Sequence, residues 1–99
     1  MEVFIVNLIY GDNEIQLKNE SNDVVAEVLF PDSTDKVVNI TRTFVDPSLR
    51  GKGVANKLLE AVATKLREED KKAYPSCSYA VKWFERNKQY SDVYSDKPY

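Results

Sequence analysis

Asp46-Pro47-Ser48-Leu49-Arg50-Gly51-Lys52-Gly53-Val54-Ala55 is the stretch on which the fold of this chain turns. A β-branched and aromatic run precedes it and helical spacing follows it, so it joins a strand to the head of a helix. A helix N-terminus presents unpaired N–H groups and a partial positive charge, which together favour an anion. Gly51 and Gly53 lack Cβ atoms and let a phosphate approach the backbone, while Arg50 and Lys52 add mobile positive charge. A pyrophosphate suits such a loop. The Walker motif does not: Gly53 stands where Ser or Thr is required after Gly51-Lys52, and the first glycine of that spacing is missing. The dinucleotide fingerprint does not match either. By itself, a basic glycine loop can also be a solvated turn; the strand before and the helix after favour the anion.

Working outward, Val54, Ala55, Leu58, Leu59, Val62, Ala63 and Leu66 fall at helical spacing, with Lys57, Glu60, Lys65 and Arg67 turned to solvent. Upstream, four strands are predicted: Val3 to Tyr10, ending at Gly11-Asp12-Asn13; Glu14 to Lys18; Val24 to Phe30; and Val37 to Val45. In the third, alternation puts Val24, Ala26, Val28 and Phe30 on one face. In the fourth it puts Val38, Ile40, Arg42 and Phe44 on one side and Thr41, Thr43 and Val45 on the other. Downstream, Lys72 to Ser76 is a short strand interrupted by Pro75. A second helix follows, with Ser78 as its cap and Ala80, Val81, Trp83 and Phe84 on its buried side. Asp92 to Tyr99 is expected to be a loosely ordered tail, and residues 1–99 a single domain.

Composition narrows the chemistry. The 99 residues, 42% hydrophobic and 30% charged, fit one compact globular core. With Lys+Arg 14 against Asp+Glu 16, no excess of positive charge drives binding to a nucleic-acid backbone. There is neither a secretory signal pattern nor an apolar run long enough to span a bilayer, and the lone Cys77 suits a reducing cytoplasm. The absence of histidine removes the commonest metal ligand and the commonest base near neutral pH, and with it serine-histidine and cysteine-histidine hydrolase chemistry. No metal site is expected, since the oxygen ligands present show no suitable spacing.

Arg50-x-x-Gly53-x-Ala55 resembles the coenzyme A signature of the GNAT superfamily of N-acetyltransferases, an Arg or Gln, then Gly, then Gly or Ala. The flanks, from Thr43 to Ala55 with Leu58-Leu59 following, resemble its strand-loop-helix segment almost residue for residue. Ala26-Glu27-Val28, Pro75-Ser76-Cys77-Ser78-Tyr79, Glu85-Arg86-Asn87 and Tyr90 to Asp92 extend the resemblance to a short single-domain branch sometimes called YjdJ-type. The fold implied is α+β: a mixed, mostly antiparallel sheet with splayed central strands and two main helices, lacking the N-terminal helices of larger relatives. The resemblance implies acetyl-coenzyme A as donor, with pantetheine in the splay against Thr43, Phe44 and Val45. The pyrophosphate would lie on Arg50, Gly51, Lys52, Gly53, Val54 and Ala55. The other partner is a primary amine acceptor; neither nucleic acid nor membrane is expected, and the chain is expected to be a monomer or weak dimer.

For catalysis, the resemblance directs the thioester toward Cys77, read either as a small buried residue or as a thiol that accepts the acetyl group or helps the sulfur leave. Two departures from the family pattern bear on this. The short branch usually carries a His at the position of Arg42, and an arginine is no base at neutral pH. Glu27 is then the candidate base, its alternative being a solvated or Arg42-paired carboxylate. Phe84 falls where many larger relatives place a proton-donating Tyr, leaving Tyr79 and Tyr74 as nearby phenols. These departures keep a non-catalytic coenzyme A binding module open beside an acetyltransferase, and a ligand-free interaction domain behind both.

Overall fold

The computed structural model describes residues 8–99; the first part of the strand expected at 3–10 lies outside the described residues. Three antiparallel strands open the fold: β1 (Leu8–Tyr10), β2 (Glu14–Lys18) and β3 (Val24–Leu29). Ile15, Leu17, Ala26, Val28 and Phe30 are buried on one face, as alternation requires. Val24 departs from that face. The register slips by one beyond the Leu17–Ala26 pair, so that Lys18 faces Val24, and Val24 is exposed.

The next strand is continuous with this sheet but changes partners partway. Its first half, β4 (Val37–Ile40), runs parallel to β6 (Lys72–Pro75); its second half, β5 (Arg42–Val45), is antiparallel to β3. Asp32 bridges Val38, and the Asn39 N–H donates to Pro31 O, so β4 also continues along the extension of β3. Asp32 opposite Val38 and Leu29 opposite Arg42 leave two residues between them on one strand and three on the other. The extra residue is a β-bulge at Thr41, whose N–H donates to Leu29 O. Its effect is to reverse the expected grouping. Val38 and Ile40 remain on the core face, where Thr43 and Val45 join them opposite Val28 and Ala26, while Arg42 and Phe44 turn outward with Glu27.

α1 (Val54–Glu69) covers the core face with Val54, Leu58, Leu59, Val62, Ala63 and Leu66, all buried, as their spacing predicts. It ends on Asp70 in the left-handed conformation, whose N–H donates to Arg67 O. α2 (Ser78–Arg86) contributes Ala80, Trp83 and Phe84 to the same cluster, whereas Val81 is exposed. Cys77, not Ser78, occupies its N-cap position, and without a side-chain capping bond. A 3-10 segment, Lys88–Val93, then returns the chain to β6. The part read as a loose tail is tied down at its start: Val93 is buried, Tyr94 bridges Ala73, and the Ser95 N–H donates to Ala73 O. Among the described residues no helix is long and apolar enough to cross a membrane.

Candidate functional site

The partner change at Thr41 opens the sheet. The N–H groups of Ser76 and Cys77 both donate to Ile40 O, the last bonds between the β4 and β6 chains; beyond them β5 keeps only β3 as a neighbour. The Asp46 N–H donates to Val25 O, which fixes the phase of the β3–β5 ladder. Alternation then assigns Phe44 and Arg42 to the bonded pairs with Glu27 and Leu29. Thr43 and Val45 therefore direct their N–H and C=O groups away from β3, into the gap. A ligand entering there finds a bare strand edge, able to bond an amide-bearing chain as a neighbouring strand would.

The gap leads to the glycine loop. Asp46 accepts a hydrogen bond from the Ser48 N–H and caps a 3-10 turn, Pro47–Leu49; its carboxyl is held below the ordinary value of 3.8, first by the Ser48 hydroxyl and then by that N–H. Gly51 (φ 81°) and Gly53 (φ 75°) then take left-handed conformations that strain an L side chain, and a Cβ built on either meets no other atom within 4 Å. Gly53 is also the N-cap of α1, with no side chain to satisfy the first N–H groups of the helix. Among the described residues, no N–H from Gly51 to Asn56 meets a protein acceptor in good hydrogen-bond geometry; the next one, Lys57, donates to Gly53 O. The loop is thus open and rich in free donors, the two properties a diphosphate requires.

Loop and gap form one cavity of about 370 Å³. Thr43, Val45, Arg50, Gly51, Gly53, Val54 and Ala55, all candidates for holding the cofactor, line it together with Leu49, Asn56 and Tyr79. Phe44 and Lys52 do not line it. Phe44 lies on the far face of the sheet, under the Arg42 guanidinium (5.2 Å to the ring centroid), because the bulge reversed its side. Cys77 does not line it either, but its half-buried Sγ lies 3.4 Å from Oγ1 of Thr43, which does. Glu27 is not brought to this group. It pairs across the strand with Phe44, accepts from Arg42 Nε at 3.1 Å and from Gln16 Nε2 at 3.3 Å, and so sits on the opposite face as an ion-paired carboxylate. Phe84 is buried against Trp83. Tyr79, in the first turn of α2, presents a phenol-bearing side chain on the cavity wall.

Asn56 was not anticipated. Its oxygen accepts from the buried Trp83 indole at 2.7 Å, which draws its side chain toward α2 and to the cavity wall. The sequence signal was present, a polar residue in the first helical turn beside the glycines, but nothing in the local pattern connects position 56 to position 83.

A family model described as GCN5-related N-acetyl-transferase matches residues 14–93. The solution structure of a GCN5-like N-acetyltransferase candidate from Staphylococcus aureus is 32% identical, with 95% of this chain and 91% of that one covered and a TM-score of 0.78. The ribosomal-protein-S18-alanine N-acetyltransferase of Escherichia coli is similar in fold at 18% identity, covering 78% of this chain and 53% of that one, with a TM-score of 0.61. A Mycobacterium tuberculosis protein solved in complex with CoA is similar at 14% identity, covering 77% and 47%, with a TM-score of 0.62. The chain spans about half the length of these last two. No curated protein matches the sequence.

Proposed function

Because the chain belongs to the GCN5-related N-acetyltransferase family and is an acyltransferase of that fold, we propose that it transfers an acetyl group from acetyl-coenzyme A to a primary amine. One observation carries the proposal: the cavity joins a donor-rich glycine loop, with its N–H groups free, to a bare strand edge at Thr43 and Val45, and the Thr43 hydroxyl meets Cys77. The loop from Arg50 to Ala55 would take the diphosphate, with Arg50 and Lys52 as exposed flanking charges. The backbone of Thr43 and Val45 would bond the pantetheine amides. The thioester would then come to rest near Cys77.

Transfer requires the amine nitrogen to attack the acetyl carbonyl, the carbon–sulfur bond to break, and the proton shed by the amine to leave as the thiolate gains one. Tyr79, which lines the cavity wall, would supply the proton to sulfur. Among the described residues no carboxylate lines the cavity, and Glu27 is held on the other face by Arg42. On this reading the amine arrives as the free base. The rate is expected to climb with pH through the acceptor's own pKa, and the Glu27→Gln variant to keep that profile. Cys77 serves either as a passive neighbour of the sulfur or as a transient acetyl carrier. Mass spectrometry after incubation with acetyl-coenzyme A alone separates the two, by the presence or absence of an added acetyl on Cys77.

The test of binding is an amide-shift or thermal-shift titration with acetyl-coenzyme A, run beside Gly53→Asp, which places negative charge and bulk in the diphosphate position. Wild type should respond and the variant should not; an equal response from both would remove the loop from the site. Arg42 supports a second function, a coenzyme A binding module without turnover. It stands where the short branch it resembles carries His, and its guanidinium is ion-paired. Binding with no thiol release across a broad amine panel, and with Cys77 unmodified, would establish that function. We further propose that the protein acts in the cytoplasm as a single domain, monomeric or weakly dimeric.

A further inference from the structure

We propose that Asn56 is a diphosphate-binding residue of this site and that the Trp83 indole is the positioning residue that sets its carboxamide for the task. The proposal rests on the coenzyme A reading above. Trp83 is 1% exposed, and its indole nitrogen is a donor only, so a buried N–H there must find an acceptor. It finds Asn56 Oδ1 at 2.7 Å. That bond removes the ambiguity of an amide: with oxygen committed to the indole, Nδ2 is the free end, and both of its protons remain to donate.

Nothing in the described protein takes them up. Asn56 lines the cavity beside Gly53, Val54 and Ala55, in the first turn of α1, where the backbone N–H groups are also free. The side chain thus adds a neutral donor to a wall already made of donors, without a long cationic stem to order. Trp83 is itself held. Tyr90 stacks on it with centroids 5.2 Å apart, the Arg67 guanidinium lies 5.1 Å over Tyr90, and Arg67 makes a two-nitrogen contact to Asp92. The C-terminal segment thereby fixes the indole, and the indole fixes the amide.

A competing account is that Asn56 exists only to satisfy Trp83. The two are separated by titrating isotope-labelled protein with coenzyme A and, separately, with pantetheine, which lacks the phosphates. The Asn56 side-chain amide signals should shift with coenzyme A and stay still with pantetheine. Asn56→Leu should weaken coenzyme A by about tenfold, the scale of one lost hydrogen bond to a charged group, and change pantetheine by less than about twofold. Trp83→Phe should fall between wild type and Asn56→Leu. If Asn56→Leu does not fold, Asn56→Asp keeps an acceptor for the indole. It should hold its melting temperature and lose coenzyme A affinity even at high salt, where charge repulsion is screened.

Coenzyme A affinity within about twofold of wild type in the folded variant, or equal losses for coenzyme A and pantetheine, would overturn the role of Asn56. Failure of wild type to bind coenzyme A at all would instead overturn the proposed function, so the two failures are distinct.

Discussion

Gly53 shows how one missing atom governs the site. At φ 75° an L side chain is strained by about 1–2 kcal/mol, yet a Cβ there would meet nothing within 4 Å. Gly53→Ala is therefore expected to fold, with a loss of about 1–2 kcal/mol in urea unfolding, and to bind acetyl-coenzyme A markedly less well because the methyl stands where the phosphate approaches. Urea unfolding checks the first half and calorimetric titration of the folded variant the second. Cys77 is the complementary case, since its Sγ already touches Thr43 Oγ1. If it carries acetyl covalently, Cys77→Ser will suppress turnover while leaving coenzyme A affinity near wild type. If it is only a neighbour, turnover in steady-state assays will persist.

At the level of elements, the bulge at Thr41 does more than any helix to make a site. It turns Thr43 and Val45 to the core face, sends Arg42 and Phe44 outward, and coincides with the point where β5 parts from β6. Deleting Thr41 would remove the extra residue and restore simple pairing with Arg42 and Phe44 still outward and Thr43 and Val45 still on the core face, but without the irregularity at which β5 parts from β6. The deletion variant is expected to keep cooperative unfolding by circular dichroism and to lose the response to acetyl-coenzyme A. Within α1, Leu59 is fully buried, and Leu59→Ala should lower stability by about 2–5 kcal/mol through lost burial and a residual cavity. Denaturant unfolding at constant m-value reads that loss directly.

Across the whole molecule, the chain ends its path by closing on its own middle. Arg67 of α1 holds Asp92, whose carboxyl lies below the ordinary value of 3.8 chiefly because the Arg67 side chain donates to it. Asp46 is lowered likewise, by the Ser48 hydroxyl and N–H. A carboxyl with a lowered folded pKa adds stability above its unfolded value and loses it as pH falls through the folded one. Unfolding midpoints in urea should therefore decline below about pH 4, and Asp92→Asn should flatten part of that decline while lowering the midpoint at neutral pH. Both groups are exposed, so each effect is expected to be smaller than that of Leu59→Ala.

What the sequence by itself determined is local: the periodicity of α1, the alternation of β2, the free-donor glycine loop, and the absence of any histidine. Each depends on residues within a few positions of one another, so a linear reading recovers it, and most of the cavity wall follows. Only the tertiary structure decided the rest. The bulge at Thr41 depends on what Leu29 and Asp32 face across the sheet, which is why unbroken alternation groups Phe44 with Val38 and Ile40 whereas the folded sheet sets it on the far face beside Glu27. Asn56 acquires its orientation from Trp83, 27 positions away, and the start of the C-terminal stretch becomes ordered only because Ala73 and Arg67 offer it partners. Hydrogen bonds across a sheet or between helices join residues that the chain's order keeps apart, and their geometry exists only once the core has closed.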